Sequence, residues 1–216
     1  MASNRLPGTM GQLGVAIRAM VVLTVLLGVI YPLAMTGAAQ ALFNSNANGS
    51  VIQVGGKDVG SSLIGQAYTR PVMQNGKPQI GADGKPVMEA DPRWFQTRPS
   101  AVNYDGMGSA ASQYGPNNPN LLALIAERRA AVAKLEGVNP AQVPPDSLTA
   151  SGSGLDPDIS PAYAALQVNR VARERSLPVA TIQQLVKANT QGRVLGFLGE
   201  ARVNVVTLNA DLAALK

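Results

Sequence analysis

The stretch Thr149-Ala150-Ser151-Gly152-Ser153-Gly154-Leu155-Asp156-Pro157-Asp158-Ile159-Ser160 is crowded with small residues and is followed directly by Pro161, which opens a helix. Its serines and glycines leave backbone N–H groups uncovered, and Gly152 and Gly154 read as the positive-φ positions that a sharply bent loop needs. A backbone bent this way presses closely against another surface or cradles an anion. Ser160 and Pro161 then supply a cap and a first helical residue, which predicts a helix to about Arg175. Leu166, Arg170 and Arg173 recur along it at three- and four-residue spacing.

Working outward, Pro178 opens a helix over Val179–Asn189 that Gly192 closes, Arg202–Thr207 reads as a β-branched strand, and Asn209 as the cap of a terminal helix over Ala210–Leu215. Upstream, Asn118 and Pro119 open a helix to Glu136 with Gly137 as its stop; Leu121, Ile125, Val132 and Leu135 recur on one face. Asn139–Asp146 is Pro-rich and extended, and Asn103–Asn118 is a long loop. Val51–Val54 reads as a strand ending in a Gly55-Gly56 turn, and Leu63–Tyr68 as a second strand. Gln74–Pro78 and Ala82–Pro86 form an imperfect repeat around Asn-Gly and Asp-Gly turns, a decorated hairpin. Strands, then helices, then a late strand that completes a sheet edge describe an α+β domain.

Between Arg18 and Lys57 no residue is charged. Ala19–Phe43 is mostly apolar and about 37 Å long as a helix, enough to cross a hydrocarbon core of ~30 Å. Ala19, Leu23, Leu27 and Pro32 belong to this anchor, in which a membrane helix tolerates the kink at Pro32. Arg5 and Arg18 precede the run and nothing charged follows closely, which puts the N-terminus in the cytoplasm of the cell and the rest of the chain outside it. The division is a cytoplasmic segment 1–12, a transmembrane helix 13–43 and one extracytoplasmic domain 44–216. A cleaved signal peptide is the competing reading, with Ala39-Gln40-Ala41 in small-x-small form, but the apolar run exceeds the usual ~7–15 residues.

The sequence has no Cys and no His, which excludes disulfides, thiolate metal sites and hydrolases built on Ser-His-Asp, Cys-His or a zinc triad. Charged residues make up 14% and aromatics 4%, so the net charge of +5 carries no nucleic-acid implication. Pro follows both Gly-Lys pairs, at 78 and 86, which rejects a phosphate-binding Walker loop. Pro157 stands where a dinucleotide fingerprint needs its third glycine. Pro161 and Gln167 replace the turn glycine and the bidentate Glu of a calcium loop. No catalytic or metal-ligating residue is assigned. The competing classes are a membrane-anchored hydrolase on a Ser-Lys pair and a secreted binding protein.

The loop at 149–160 resembles the signature of KdpC, the small accessory subunit family of the bacterial ATP-driven potassium pump. Further blocks follow the family order: Ser61-Ser62-Leu63-Ile64-Gly65-Gln66, Phe95-Gln96-Thr97-Arg98-Pro99-Ser100, Tyr114-Gly115-Pro116-Asn117-Asn118-Pro119, Gln167-Val168-Asn169-Arg170-Val171-Ala172 and Arg202-Val203-Asn204-Val205-Val206-Thr207-Leu208-Asn209. Two departures stand out: Asp158 occupies a position where the family carries His, and Val72–Glu89 resembles an insertion. The resemblance implies a noncatalytic subunit of the Kdp complex in the bacterial inner membrane, partnered by a channel-like potassium-translocating subunit, an ATP-hydrolysing P-type subunit and the lipid bilayer. It implies no tightly bound cofactor, potassium carried by the partner subunits, and a chaperone-like rise in the ATP affinity of the hydrolysing subunit. The loop is also loosely similar to the Ser-Gly signature of ABC nucleotide-binding domains, with Gln167 as a downstream polar partner. Ser151, Gly152, Ser153, Gly154, Leu155, Asp156 and Gln167 are therefore the candidate nucleotide-related or partner-docking residues. A domain outside the cytoplasm meets almost no ATP, which favours docking and an ATP effect transmitted through the complex. Arg98, Arg170 and Asp156 read equally well as internal ion-pair partners.

Overall fold

A computed structural model describes residues 8–215. Arg5, one of the two charges behind the expected orientation, lies outside the described residues, as does most of the segment 1–12. The chain divides into two compact units, one ending at Ser50 and one beginning at Val51.

In the first unit, α1 (Gly8–Val25) passes through one π-turn, Leu26–Ile30, into α2 (Tyr31–Leu42). The π-turn has a local cause. Pro32 has no N–H to donate to Gly28, and its ring would collide with that residue's carbonyl in a regular α-turn. The turn widens instead, and the Tyr31 N–H reaches back to the Leu26 carbonyl. The result is a helix that Pro32 bulges without breaking. Met10–Leu42, 33 residues, is long and apolar enough to cross a membrane, and none of its apolar window is buried against protein. Arg18 falls inside this helix, one residue ahead of the uncharged run that begins at Ala19. From Ala19 to Leu42 the uncharged part of the helix measures about 36 Å, longer than a ~30 Å hydrocarbon core. The polar segment after the span winds into α3 (Asn44–Ala47), tied by the Asn44 amide donating to Gln40 Oε1 at 2.9 Å.

The second unit begins with the expected hairpin: β1 (Val51–Val54) pairs antiparallel with β2 (Lys57–Ser61) across Gly55-Gly56. Residues 63–68 are not a strand. Their backbone groups bond to distant loops instead, the Gly65 N–H to the Leu155 carbonyl at 2.8 Å and the Gln66 carbonyl to Thr97 Oγ1 at 3.1 Å. The decorated hairpin follows: β3 (Thr69–Pro71), β4 (Met73–Gln74), β5 (Lys77–Pro78) and β6 (Met88–Ala90), with β4 pairing β5 around Asn75-Gly76 and β3 pairing β6. α4 (Pro119–Glu136) starts at Asn118, whose side chain accepts from the Asn120 N–H, and ends at Gly137.

β7 (Asp158–Ile159), α5 (Pro161–Arg175), α6 (Val179–Ala188), β8 (Thr190–Gln191), β9 (Arg202–Asn204) and α7 (Val205–Ala214) complete the chain. The late strand is shorter than expected and central, not an edge: β9 lies between β7 and β8, antiparallel to both. It stops at Asn204 because that side chain accepts from the N–H groups of Val206 and Thr207, at 3.1 Å each, and so starts α7. Asn209, expected as the cap, lies inside α7, where its amide accepts from the Phe95 N–H (3.0 Å) and donates to the Phe95 carbonyl (2.9 Å). Phe95, Ile159, Val171, Ile182, Val203 and Leu208 form the centre of one core built from α5, α6, α7, β9 and the Phe95 loop. Each such side chain contributes about 1.5–3 kcal/mol on burial. A smaller cluster, Ala133, Val143 and Leu148, seats α4. The architecture is α+β, with one apolar N-terminal helix.

Candidate functional site

The loop at 149–160 is held at both ends. At its exit, the Ser160 hydroxyl accepts from the Tyr163 N–H (3.0 Å), the cap expected from the sequence, and donates to Asp146 Oδ1 (2.8 Å), while the Ser160 N–H donates to Asp146 Oδ2 (2.8 Å). A cap of this kind stabilises a helix by about 1 kcal/mol. At its entrance, Arg98 Nη2 donates to the Thr149 carbonyl at 3.4 Å, and the same guanidinium forms an ion pair with Asp156 Oδ2, further along the loop, at 3.1 Å, both side chains about a quarter exposed. Asp156 Oδ1 accepts from the Asp158 N–H, turning the chain into β7. The ion-pair reading of Arg98 and Asp156 therefore holds.

The crown of the loop is closed on its own side chains. Ser151 Oγ accepts the Gly154 N–H at 2.9 Å and Ser153 Oγ accepts the Leu155 N–H at 3.1 Å. Two of the loop's amides, those of Gly154 and Leu155, are thereby taken by its own serines. Ser100 fixes the underside: its hydroxyl donates to the Gly154 carbonyl (2.6 Å) and accepts from the N–H groups of Val102 and Tyr104 (3.1 and 3.0 Å). Those bonds hold Asn103 and Tyr104 at φ of 53° and 58°, two consecutive non-glycine residues in the left-handed region. The Ser153 carbonyl in turn accepts from the Ala110 N–H and the Ser109 hydroxyl. The long loop of residues 103–118 is thus the support of the signature loop.

Packing explains two of the glycines. Gly154 has φ +69°, and a Cβ there would lie 2.7 Å from Val102 Cγ2 and 2.8 Å from the Ala110 carbonyl oxygen. At Gly65 a Cβ would strike the Tyr104 ring and the Asp156 carbonyl. Gly152 corrects the sequence reading: it has no positive φ and nothing within 4 Å of a Cβ position, so it is an exposed crest, not a strained corner. Beside that crest runs an open groove of about 570 Å³ lined by Leu63, Ile64, Arg98, Ser151, Ser153 and Leu155, among others.

Gln167 does not reach this groove. It is buried on α5, where its Oε1 accepts from the Gln96 N–H (2.6 Å) and its amide donates to the Gln96 carbonyl (3.1 Å). One turn on, Arg170 is also fully buried. Its Nε donates to both oxygens of Glu136 (3.0 and 2.9 Å), its Nη1 to the carbonyls of Pro92 and Trp94, and its Nη2 to Gln167 Oε1 (2.8 Å). Burial pushes the Glu136 carboxyl above its ordinary value, and the Arg170 guanidinium pulls it back. This pair ties α4 to α5 and sets the path of residues 92–96 that leads to Arg98. Sequence reasoning anticipated an ion pair at Arg170 but not Glu136; the available signal was Gln167 and Arg170 on the same α5 stripe as Tyr163, Ala164 and Val171.

Asp158 pairs with Arg202 across β7 and β9 at 2.9 Å. Burial raises its carboxyl, Arg202 lowers it, and Oδ1 is buried without a hydrogen-bond partner. Among the described residues, no group of three acidic side chains stands close enough to hold a metal ion. Ala19, Leu23, Leu27 and Pro32 lie along the exposed apolar helix, in the other unit.

Comparison with known proteins gives a consistent result. Residues 13–214 match the family described as KdpC, K+-transporting ATPase, c chain. A potassium-transporting ATPase KdpC subunit of Streptomyces avermitilis is 46% identical over 226 residues, covering 99% of this chain and 98% of the relative. Similar proteins of the same name are found in Streptomyces coelicolor, 46% identical with 92% and 90% covered, and in Gemmatimonas aurantiaca, 49% identical with 89% and 87% covered.

Proposed function

The chain belongs to the KdpC family, the c chain of K+-transporting ATPases, and from that membership we propose that it is the noncatalytic, single-span accessory subunit of a high-affinity potassium-import pump. Its partners are a channel-like potassium-translocating subunit and an ATP-hydrolysing P-type subunit. The N-terminal helix anchors it in the bacterial inner membrane with the N-terminus cytoplasmic, and the domain that follows stands outside the cytoplasm. There it stabilises the assembly and raises the ATP affinity of the hydrolysing subunit through the complex, without itself holding nucleotide. Potassium is carried by the partners.

The observation that carries this reading is the extent of the family match, 13–214, which takes in both the apolar helix and the whole folded domain. The signature loop supports the indirect role: Ser151 and Ser153 occupy the Gly154 and Leu155 amides, leaving a rigid, exposed crest at Gly152 suited to contact with a protein surface. Affinity purification of the tagged chain from solubilised membranes is expected to recover two larger subunits, and its deletion to abolish most potassium-stimulated ATPase activity. Full activity of the remaining subunits without it would refute the accessory role.

The orientation has its own test, because the chain has no native cysteine. A Ser45→Cys variant is expected to react with an impermeant maleimide on intact spheroplasts. Labelling only after the membrane is broken would reverse the orientation.

A further inference from the structure

Arg98 borders a second cleft besides the groove at the crest. It holds about 300 Å³ and is walled by residues 67–69 and 96–104 together with side chains of α4 and α5. Two polar groups in its wall have bonding capacity that the fold does not use. Tyr163, on α5, is 2% exposed, yet its hydroxyl makes no hydrogen bond among the described residues and is not sealed from solvent. A buried tyrosine hydroxyl ordinarily has a partner. Burial also pushes its pKa well up, so the group stays a neutral O–H donor.

The second group is Arg128, half-buried on α4. Its Nη1 donates to the Leu148 carbonyl at 2.9 Å, and that bond holds the guanidinium at the wall. Among the described residues no carboxylate pairs with it, and its other N–H groups are unspent. The remaining charges nearby are already matched. Arg98 is paired with Asp156, no Asp or Glu lines the cleft, and Asp146, beside Ser147 in the wall, turns both carboxylate oxygens to Ser160. One unpaired guanidinium and one unpartnered hydroxyl therefore face the same space, next to apolar surface from Pro99, Ala131 and Val132.

We propose that this cleft binds a small organic monocarboxylate, its carboxylate on Arg128 and the Tyr163 hydroxyl and its short hydrocarbon part on Pro99, Ala131 and Val132. A planar carboxylate fits the guanidinium fork and keeps a lone pair for the phenol. One unpaired positive charge matches a monoanion. A phosphate, with more charge and more oxygens, would leave both unmatched. A mainly apolar wall with a few convergent polar groups is the ordinary make-up of a small-molecule site. The occupant bridges α4 to the segment that carries Ser100, the underside of the signature loop. The site goes beyond the accessory-subunit reading and does not depend on it.

The test uses the purified full-length chain in detergent, with sodium butyrate as the probe and sodium chloride at equal ionic strength as the control. Ligand-observed NMR and the thermal midpoint are followed together. Butyrate is expected to bind saturably, with a Kd on the order of millimolar, and to raise the midpoint where chloride does not. Arg128→Gln should weaken binding roughly tenfold or more, through loss of a charge-assisted pair. Tyr163→Phe should weaken it about threefold or more, yet leave the midpoint of the unliganded chain unchanged or raised, because the hydroxyl removed is unbonded within the fold. A lowered unliganded midpoint for Tyr163→Phe would give the hydroxyl a structural role and overturn the proposal. Absence of saturable butyrate binding overturns it as well, as does full-strength binding by either variant or tighter binding of phosphate than of butyrate. If Arg128→Gln does not fold, Tyr163→Phe decides alone. Butyrate binding with both losses, in a chain that recovers no partner subunit, would refute the accessory reading and leave this site standing.

Discussion

Arg170→Ala is expected to destabilise the domain by about 3–5 kcal/mol, the cost of removing one partner from a buried ion pair. Both side chains of the Arg170–Glu136 pair are 0% exposed, so no water can replace the lost guanidinium without opening the packing between α4 and α5. Glu136 would be left in a site whose burial already opposes its charge, and the Pro92 and Trp94 carbonyls would lose their donor. Against a typical total of 5–15 kcal/mol, this is a large fraction of what holds the domain together. Thermal unfolding of the full chain in detergent should show a midpoint lowered by roughly 6–20 °C. Arg170→Lys keeps the charge but not the planar fork that serves Glu136, two carbonyls and Gln167 together, so it should recover less than half of the loss. A shift below about 2 °C for Arg170→Ala would mean that the pair is not a structural tie and that residues 92–98 take their path without it.

That pair also shows where the sequence stops being legible. The helices could be read because their ends are local: Asn118-Pro119 before α4, Gly137 after it, Ser160-Pro161 before α5. The hairpins at Gly55-Gly56 and Asn75-Gly76 are local for the same reason. Residues 63–68 look like a strand, yet their partners are Leu155 and Thr97, which no nearby spacing announces. Val205 and Val206 look like strand residues, but one side-chain oxygen on Asn204 captures two N–H groups and turns them into a helix. In the signature loop, the composition announced a sharp bend, while the identity of the strained glycine depended on Val102 and Ala110, far back in the sequence. Gln167 was assigned to the loop by likeness, and its amide is instead committed to the Gln96 backbone. Motif reading singles out the loop; the contacts within it are set by long-range packing.

Gly154 and Gly152 separate folding from docking in the signature loop. Gly154→Val is expected to cost about 2–5 kcal/mol, combining ~1–2 kcal/mol for a left-handed conformation with ~1–3 kcal/mol for overpacking. Valine is β-branched and poorly suited to φ +69°, and its Cβ would meet Val102 Cγ2 at 2.7 Å and the Ala110 carbonyl at 2.8 Å. Val102 can rotate, but the Ala110 backbone is tied to the Ser153 carbonyl at 3.1 Å, so the loop and its support must separate. Both the melting midpoint and the yield of copurified partner subunits should fall. Gly152→Val differs in every respect that matters: φ is not positive and the space around a Cβ is open, so its midpoint should move by no more than ~0.5 kcal/mol would cause. A Val side chain on that crest should still reduce partner recovery if the loop docks there, because bulk at a contact acts only when the surfaces meet. Loss of recovery without loss of stability at 152, beside loss of both at 154, is the expected pattern. Wild-type recovery by Gly152→Val would remove the crest from the interface, and saturable ATP binding by the purified full chain, abolished in Gly154→Val, would give the loop a direct nucleotide role instead.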